Sequence, residues 1–94
     1  MATIDIRTTV PGPRSVALLE RRRAAVSSSP FMVTPLFVDR AEGATLTDVD
    51  GNTYLDFAGG IGTVNVGHAH PEVVAAIREQ AGRYLHTCFN VAMY

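Results

Sequence analysis

A chain of 94 residues, 47% hydrophobic and 18% charged, is one small domain or a part of a larger one, and no run approaches the roughly 20 apolar residues of a membrane-spanning helix. Its net charge of −1 gives no electrostatic footprint for nucleic acid or for an anionic lipid surface. All eight basic residues are arginine, so chemistry that needs a side-chain amine, such as a Schiff base to an aldehyde cofactor, cannot be completed by this chain alone. Residues 1–14 alternate polar and apolar side chains and end in Pro11, Gly12 and Pro13. They lack the continuous apolar run of an export signal and read as a flexible arm or as an extended segment docked on something else. With no such signal, and with Cys88 as the one unpaired thiol, a cytoplasmic location is expected.

The spacing of Val16, Leu19 and Val26 predicts a helix over residues 15–26, with Ser15 as N-cap. Arg21, Arg22 and Arg23 sweep most of a turn and read as a solvated surface rather than a phosphate site. Ser27, Ser28, Ser29 and Pro30 end the helix. A short strand is expected over residues 36–39, and a hairpin over residues 44–57 around Asp50-Gly51-Asn52, where glycine and asparagine supply the positive φ of a tight turn. Together these form a three-stranded antiparallel meander. Asp48, Asp50 and Asp56 are assigned turn and edge roles, with no pair placed for acid–base work.

Residues 58–67 hold four glycines and read as a loop with close backbone contacts. The spacing fits neither a P-loop nor G-x-G-x-x-G, whose third glycine position is Asn65. A structural loop lining a pocket or a subunit contact is the better reading. His70-Pro71 opens a second helix, with Glu72 in its first turn and Val73, Val74, Ile77 and Ala81 at helical spacing. His68, His70, His86 and Cys88 have zinc-ligand chemistry but not zinc-finger spacing, so they carry no metal assignment. His70 is read as a helix cap and Cys88 as a buried, inert thiol.

The stretch Asp48-Val-Asp-Gly-Asn-Thr-Tyr-Leu-Asp-Phe-Ala-Gly-Gly-Ile61, followed by Asn65-Val-Gly-His-Ala-His-Pro71, resembles the N-terminal part of class III aminotransferases, pyridoxal-phosphate enzymes of fold type I. Val73-Val-Ala-Ala-Ile77 and His86-Thr-Cys-Phe-Asn90 are similar to the 4-aminobutyrate subgroup in particular. The resemblance covers about residues 34–94, and the combined motif is specific. It implies an α+β fold: an N-terminal helix, a small antiparallel meander, a glycine-rich loop and a helix. Residues 15–94 would then be the N-terminal part of the small domain, running toward the large one.

The resemblance further implies a homodimer, when full length, that moves an amino group from an ω-amino acid to 2-oxoglutarate with pyridoxal 5′-phosphate. In that setting Ile61 lines the substrate pocket, whereas residue type alone allows ordinary loop packing. Where many relatives carry glutamine this chain has Asn90, one methylene shorter. The family's Schiff-base lysine and phosphate-binding loop have no counterpart among these residues. The chain is therefore expected to be an N-terminal portion, inactive by itself. The alternative is a non-catalytic module that docks on a full-length aminotransferase.

Overall fold

The computed structural model describes residues 3–28 and 32–94. Its elements in chain order are α1 (Pro13–Ala25), β1 (Val38–Glu42), β2 (Thr45–Asp48), β3 (Thr53–Leu55), α2 (Gly59–Gly62) and α3 (Pro71–Ala81). The three strands form one antiparallel sheet in the order β1-β2-β3. This is the α+β arrangement with a meander that the sequence implies. No helix among the described residues is long and apolar enough to cross a membrane.

The hairpin between β1 and β2 turns through Gly43-Ala44, with Glu42 opposite Thr45 and Gly43 at φ +53°. A two-residue connection of this kind needs a positive φ at its first position, which glycine adopts without strain. Pairing from this turn places β1 at residues 38–42 rather than 36–39. Asp39, Arg40 and Glu42 therefore lie on an edge strand, where charged side chains are tolerated and deter further pairing. β2 pairs β3 with Thr47 opposite Thr53 and Leu46 opposite Tyr54.

α1 begins at Pro13, two residues ahead of expectation, because proline suits the first helical position. Gly12 occupies the N-cap position and Ser15 lies inside the first turn, so Ser15 is not the cap. The end signal at Ser29 and Pro30 lies outside the described residues. α3 starts at Pro71 with Glu72 in its first turn. His70 holds its N-cap position, but its side chain makes no capping bond.

Among the described residues no hydrophobic side chain is buried; the buried positions are Gly12 and the polar residues Ser15, Asp48 and Asn52. The chain exposes 7538 Å², where a compact monomer of 10.1 kDa would expose about 5300 Å². Its radius of gyration is 16.9 Å against about 12 Å for a compact domain of this length. Val73 and Ile77 on α3 are 45% and 62% exposed, and Leu85, Val91 and Met93 beyond it are more so. The apolar surface that normally holds a domain together is here turned outward, and polar bonding fixes the meander instead.

Candidate functional site

Two polar constructions sit at opposite ends of the sheet. The first is the turn at residues 48–52. Asp48 Oδ1 accepts the amides of Asp50 and Asn52, both at 2.9 Å. Its Oδ2 accepts Asn52 Nδ2 at 3.0 Å and the Tyr54 hydroxyl at 2.8 Å. The wholly buried Asn52 uses its entire bonding capacity. Its Oδ1 accepts the Arg7 and Thr8 amides at 2.7 and 2.9 Å, and its Nδ2 also donates to Thr8 Oγ1 at 2.8 Å. Asp5 and Thr53 exchange backbone bonds of 3.1 and 2.7 Å. Residues 5–8 are thereby laid along β3.

Asp50, in the same turn, accepts the Arg14 and Ser15 amides at 2.7 and 2.8 Å. These are orphan donors of the first turn of α1, so the cap that Ser15 was expected to give comes from a carboxylate distant in sequence. A Cβ at Gly12 would stand inside the Asp50 carboxyl group, which explains glycine there. Burial tends to raise the Asp48 pKa, but the bonds from Asn52, Tyr54 and the Asp50 amide outweigh it and hold it below the ordinary value. For Asp50, burial is likewise outweighed by Ser15 and the Arg14 amide, and the net shift is downward. Burial and the Asp48 carboxylate push the Tyr54 hydroxyl up to about 12.

The second construction is the glycine loop. Gly59, Gly60, Ile61 and Gly62 all have positive φ: +52°, +60°, +54° and +75°. α2 is therefore a single turn in left-handed backbone, closed by bonds from the Gly62 amide to Ala58 O and from Thr63 and Val64 to Gly59 O. Glycine enters this conformation freely, whereas an L-residue pays ~1–2 kcal/mol. Three of the four positions are glycine, so the strain falls on Ile61 alone. A β-branched residue at φ +54° is an outlier of the kind that gathers at functional sites. The Ile61 side chain is 91% exposed at the tip of the loop.

Asp56, just past β3, anchors the loop. Its Oδ1 accepts the Ala58 and Gly59 amides at 2.9 and 3.0 Å. Its Oδ2 lies 2.6 Å from His68 Nε2. The carboxylate partner assigns the Nε2–H tautomer or the imidazolium to His68, since either donates. The His68 bond and the Gly59 amide keep Asp56 below its ordinary pKa. The far end of the loop is fixed by His68 and Gly43, which exchange backbone bonds of 3.0 and 2.8 Å. A Cβ at Gly67 would come within 3.0 Å of the Gly43 Cα, so the two backbones touch. A cavity of about 390 Å³ opens between the loop and the first hairpin, lined by Ala44, Asp56, Gly59, Val64, Asn65 and His68.

The other sequence candidates are not gathered here. His70 caps α3 by position, and His86 packs edge-on against Tyr94 at 6.3 Å. Cys88 is exposed rather than buried, because no described element covers residues 84–94. Among the described residues no three His, Cys, Asp or Glu side chains converge as metal ligands would. The pair of Asp56 and His68 is not legible in the sequence, since eleven residues separate its members and nothing in their spacing signals contact. From sequence Asn52 is a turn residue; its role as a fully bonded centre depends on the arm folding back.

The family model for class III aminotransferases matches residues 26–94, and the chain belongs to that family. It is 50% identical over 78 residues to the 5-aminovalerate aminotransferase DavT of Pseudomonas aeruginosa, covering 83% of this chain and 18% of the relative. It is 48% identical over 77 residues to the 4-aminobutyrate aminotransferase GabT of Escherichia coli, again covering 82% of this chain and 18% of the relative. In three dimensions it is similar to the acetylornithine aminotransferase of Elizabethkingia anophelis, with a TM-score of 0.68 and 35% identity over 73% of this chain and 18% of that one. The chain thus spans about a fifth of the length of the relatives it matches.

Proposed function

We propose that this chain is the N-terminal segment of an aminotransferase that moves an amino group from an ω-amino acid, 4-aminobutyrate first, to 2-oxoglutarate. The observation that carries the reading is the near-50% identity to enzymes named for 4-aminobutyrate and 5-aminovalerate, donors differing by one methylene. Ile61 supports it: an apolar side chain held in strained backbone and exposed suits contact with the methylene chain of such a donor. The exposed faces of α3 and of residues 84–94 suit burial against the remainder of a larger enzyme that acts as a homodimer in the cytoplasm.

Pyridoxal 5′-phosphate is the cofactor this reading implies, and the residues present do not build its site. There is no lysine to bond its aldehyde. Among the described residues, the buried side-chain atoms without partners include His70 Nδ1 and Gln80 Nε2, which lie at the two ends of α3 and do not converge. By itself the chain is therefore catalytically incomplete.

The test is a segment exchange. The stretch of the Escherichia coli relative that matches this chain is replaced by this chain, and amino transfer is followed with 4-aminobutyrate, 5-aminovalerate and acetylornithine as donors. The first two should turn over within about tenfold of the parent, a difference of about 1.4 kcal/mol in barrier. A preference for acetylornithine would overturn the donor assignment.

A further inference from the structure

We propose that Asp56 and His68 are positioning residues that set how Ile61 meets the donor's methylene chain, an inference that rests on the function proposed above. The Asp56 carboxylate joins two places far apart in sequence. On one side it accepts the Ala58 and Gly59 amides, which lead into the left-handed turn. On the other it accepts His68 Nε2 at 2.6 Å, and the backbone of His68 is itself tied to Gly43. The loop between them is closed at its base, and its tip is Ile61.

Local bonding inside the loop does not hold the tip by itself. The Thr63 hydroxyl bonds Gly60 O and the Gly67 amide bonds Val64 O, yet three of the four residues in the turn are glycines free to adopt many other conformations. A β-branched residue persists in the left-handed region only where its surroundings over-determine it. Among the described residues, the side-chain bond between Asp56 and His68 is the one that spans the loop without being backbone. With side chains 7% and 21% exposed, the pair is shielded enough for that bond to keep its strength.

Neither residue touches donor in this account; both act through Ile61. Losing the pair should therefore raise KM for 4-aminobutyrate and leave kcat almost unchanged, because the methylene contact is the same in ground and transition states.

The experiment has two arms. In the exchanged enzyme, hydrogen exchange is measured at the Thr63 and Val64 amides, both bonded to Gly59 O. His68→Leu and Asp56→Asn should each lower protection about tenfold, while His68→Gln, which keeps an N–H at the same reach, should restore it. Unprotected Thr63 and Val64 in the exchanged enzyme with Asp56 and His68 intact, or equal protection in His68→Leu, would overturn the inference.

In the exchanged enzyme, His68→Leu should raise KM for 4-aminobutyrate about fivefold or more with kcat within twofold, and His68→Gln should recover it. An enzyme active on 4-aminobutyrate but with KM unmoved by His68→Leu overturns this inference and leaves the proposed function standing. An exchanged enzyme that prefers another donor overturns that function instead.

Discussion

Substituting Asn52 by alanine removes the centre of the polar network. Four bonds of 2.7 to 3.0 Å are lost, two from the Arg7 and Thr8 amides and one each to Thr8 Oγ1 and Asp48 Oδ2. At ~0.5–1.5 kcal/mol net for each, the loss spans about 2–6 kcal/mol. The amides of Arg7 and Thr8 belong to an arm that can detach and rehydrate, which draws the cost toward the lower end, about 2–3 kcal/mol. The arm then leaves β3, and the Thr53 amide loses its 2.7 Å bond to Asp5 O. Hydrogen exchange at Thr53 should accelerate about 30- to 150-fold, given about 1.4 kcal/mol per tenfold. The Gly43 amide, bonded to His68 O at the other end of the sheet, should not change. Thr53 protection within threefold of the parent would refute the claim that Asn52 holds the arm.

Further outcomes follow from the same geometry. Asp48 has a folded pKa below its ordinary value, so its stabilisation is complete above about pH 4 and is lost as pH falls through the lower folded value; acid unfolding of Asp48→Asn should show a correspondingly weaker pH dependence. Tyr54 is raised to about 12, so its share is complete below about pH 10 and is lost as pH climbs through 12; a phenolate absorbance phase near 12 should vanish in Tyr54→Phe. Ile61→Gly should relieve the left-handed strain and stabilise the loop by ~0.5–1 kcal/mol after glycine's own entropy cost, while raising KM for 4-aminobutyrate in the exchanged enzyme. Gly67→Ala meets the Gly43 backbone at φ +88° and should cost ~1–3 kcal/mol, seen as faster exchange of the Gly43 and His68 amides.

Features legible in the sequence are those whose cause is local. Pro71 and Glu72 announce the start of α3 because proline and an acidic first turn act within a few residues. Asp50-Gly51-Asn52 announces the turn, where Gly51 takes φ +86°. Local signals put the cap of α1 at Ser15, whereas the acceptor is Asp50, which arrives from a later turn, and no local rule reports a tertiary cap. The placing of β1 failed for a similar reason: pairing from Gly43 selected polar residues over the more apolar Leu36 and Phe37. The four glycines gave the loop but not its left-handed turn, which needs Ile61 to join them against its own preference. The contact between Asp56 and His68 rests on loop closure, which residue spacing does not encode.

These 94 residues belong to an aminotransferase family and hold no lysine to react with its cofactor. The most direct measurement compares glutamate formed from 2-oxoglutarate and 4-aminobutyrate by the exchanged enzyme and by the isolated chain, each supplied with pyridoxal 5′-phosphate. Glutamate should form in the first and not in the second. Turnover by the isolated chain, or a silent exchanged enzyme beside an active parent, would contradict the account.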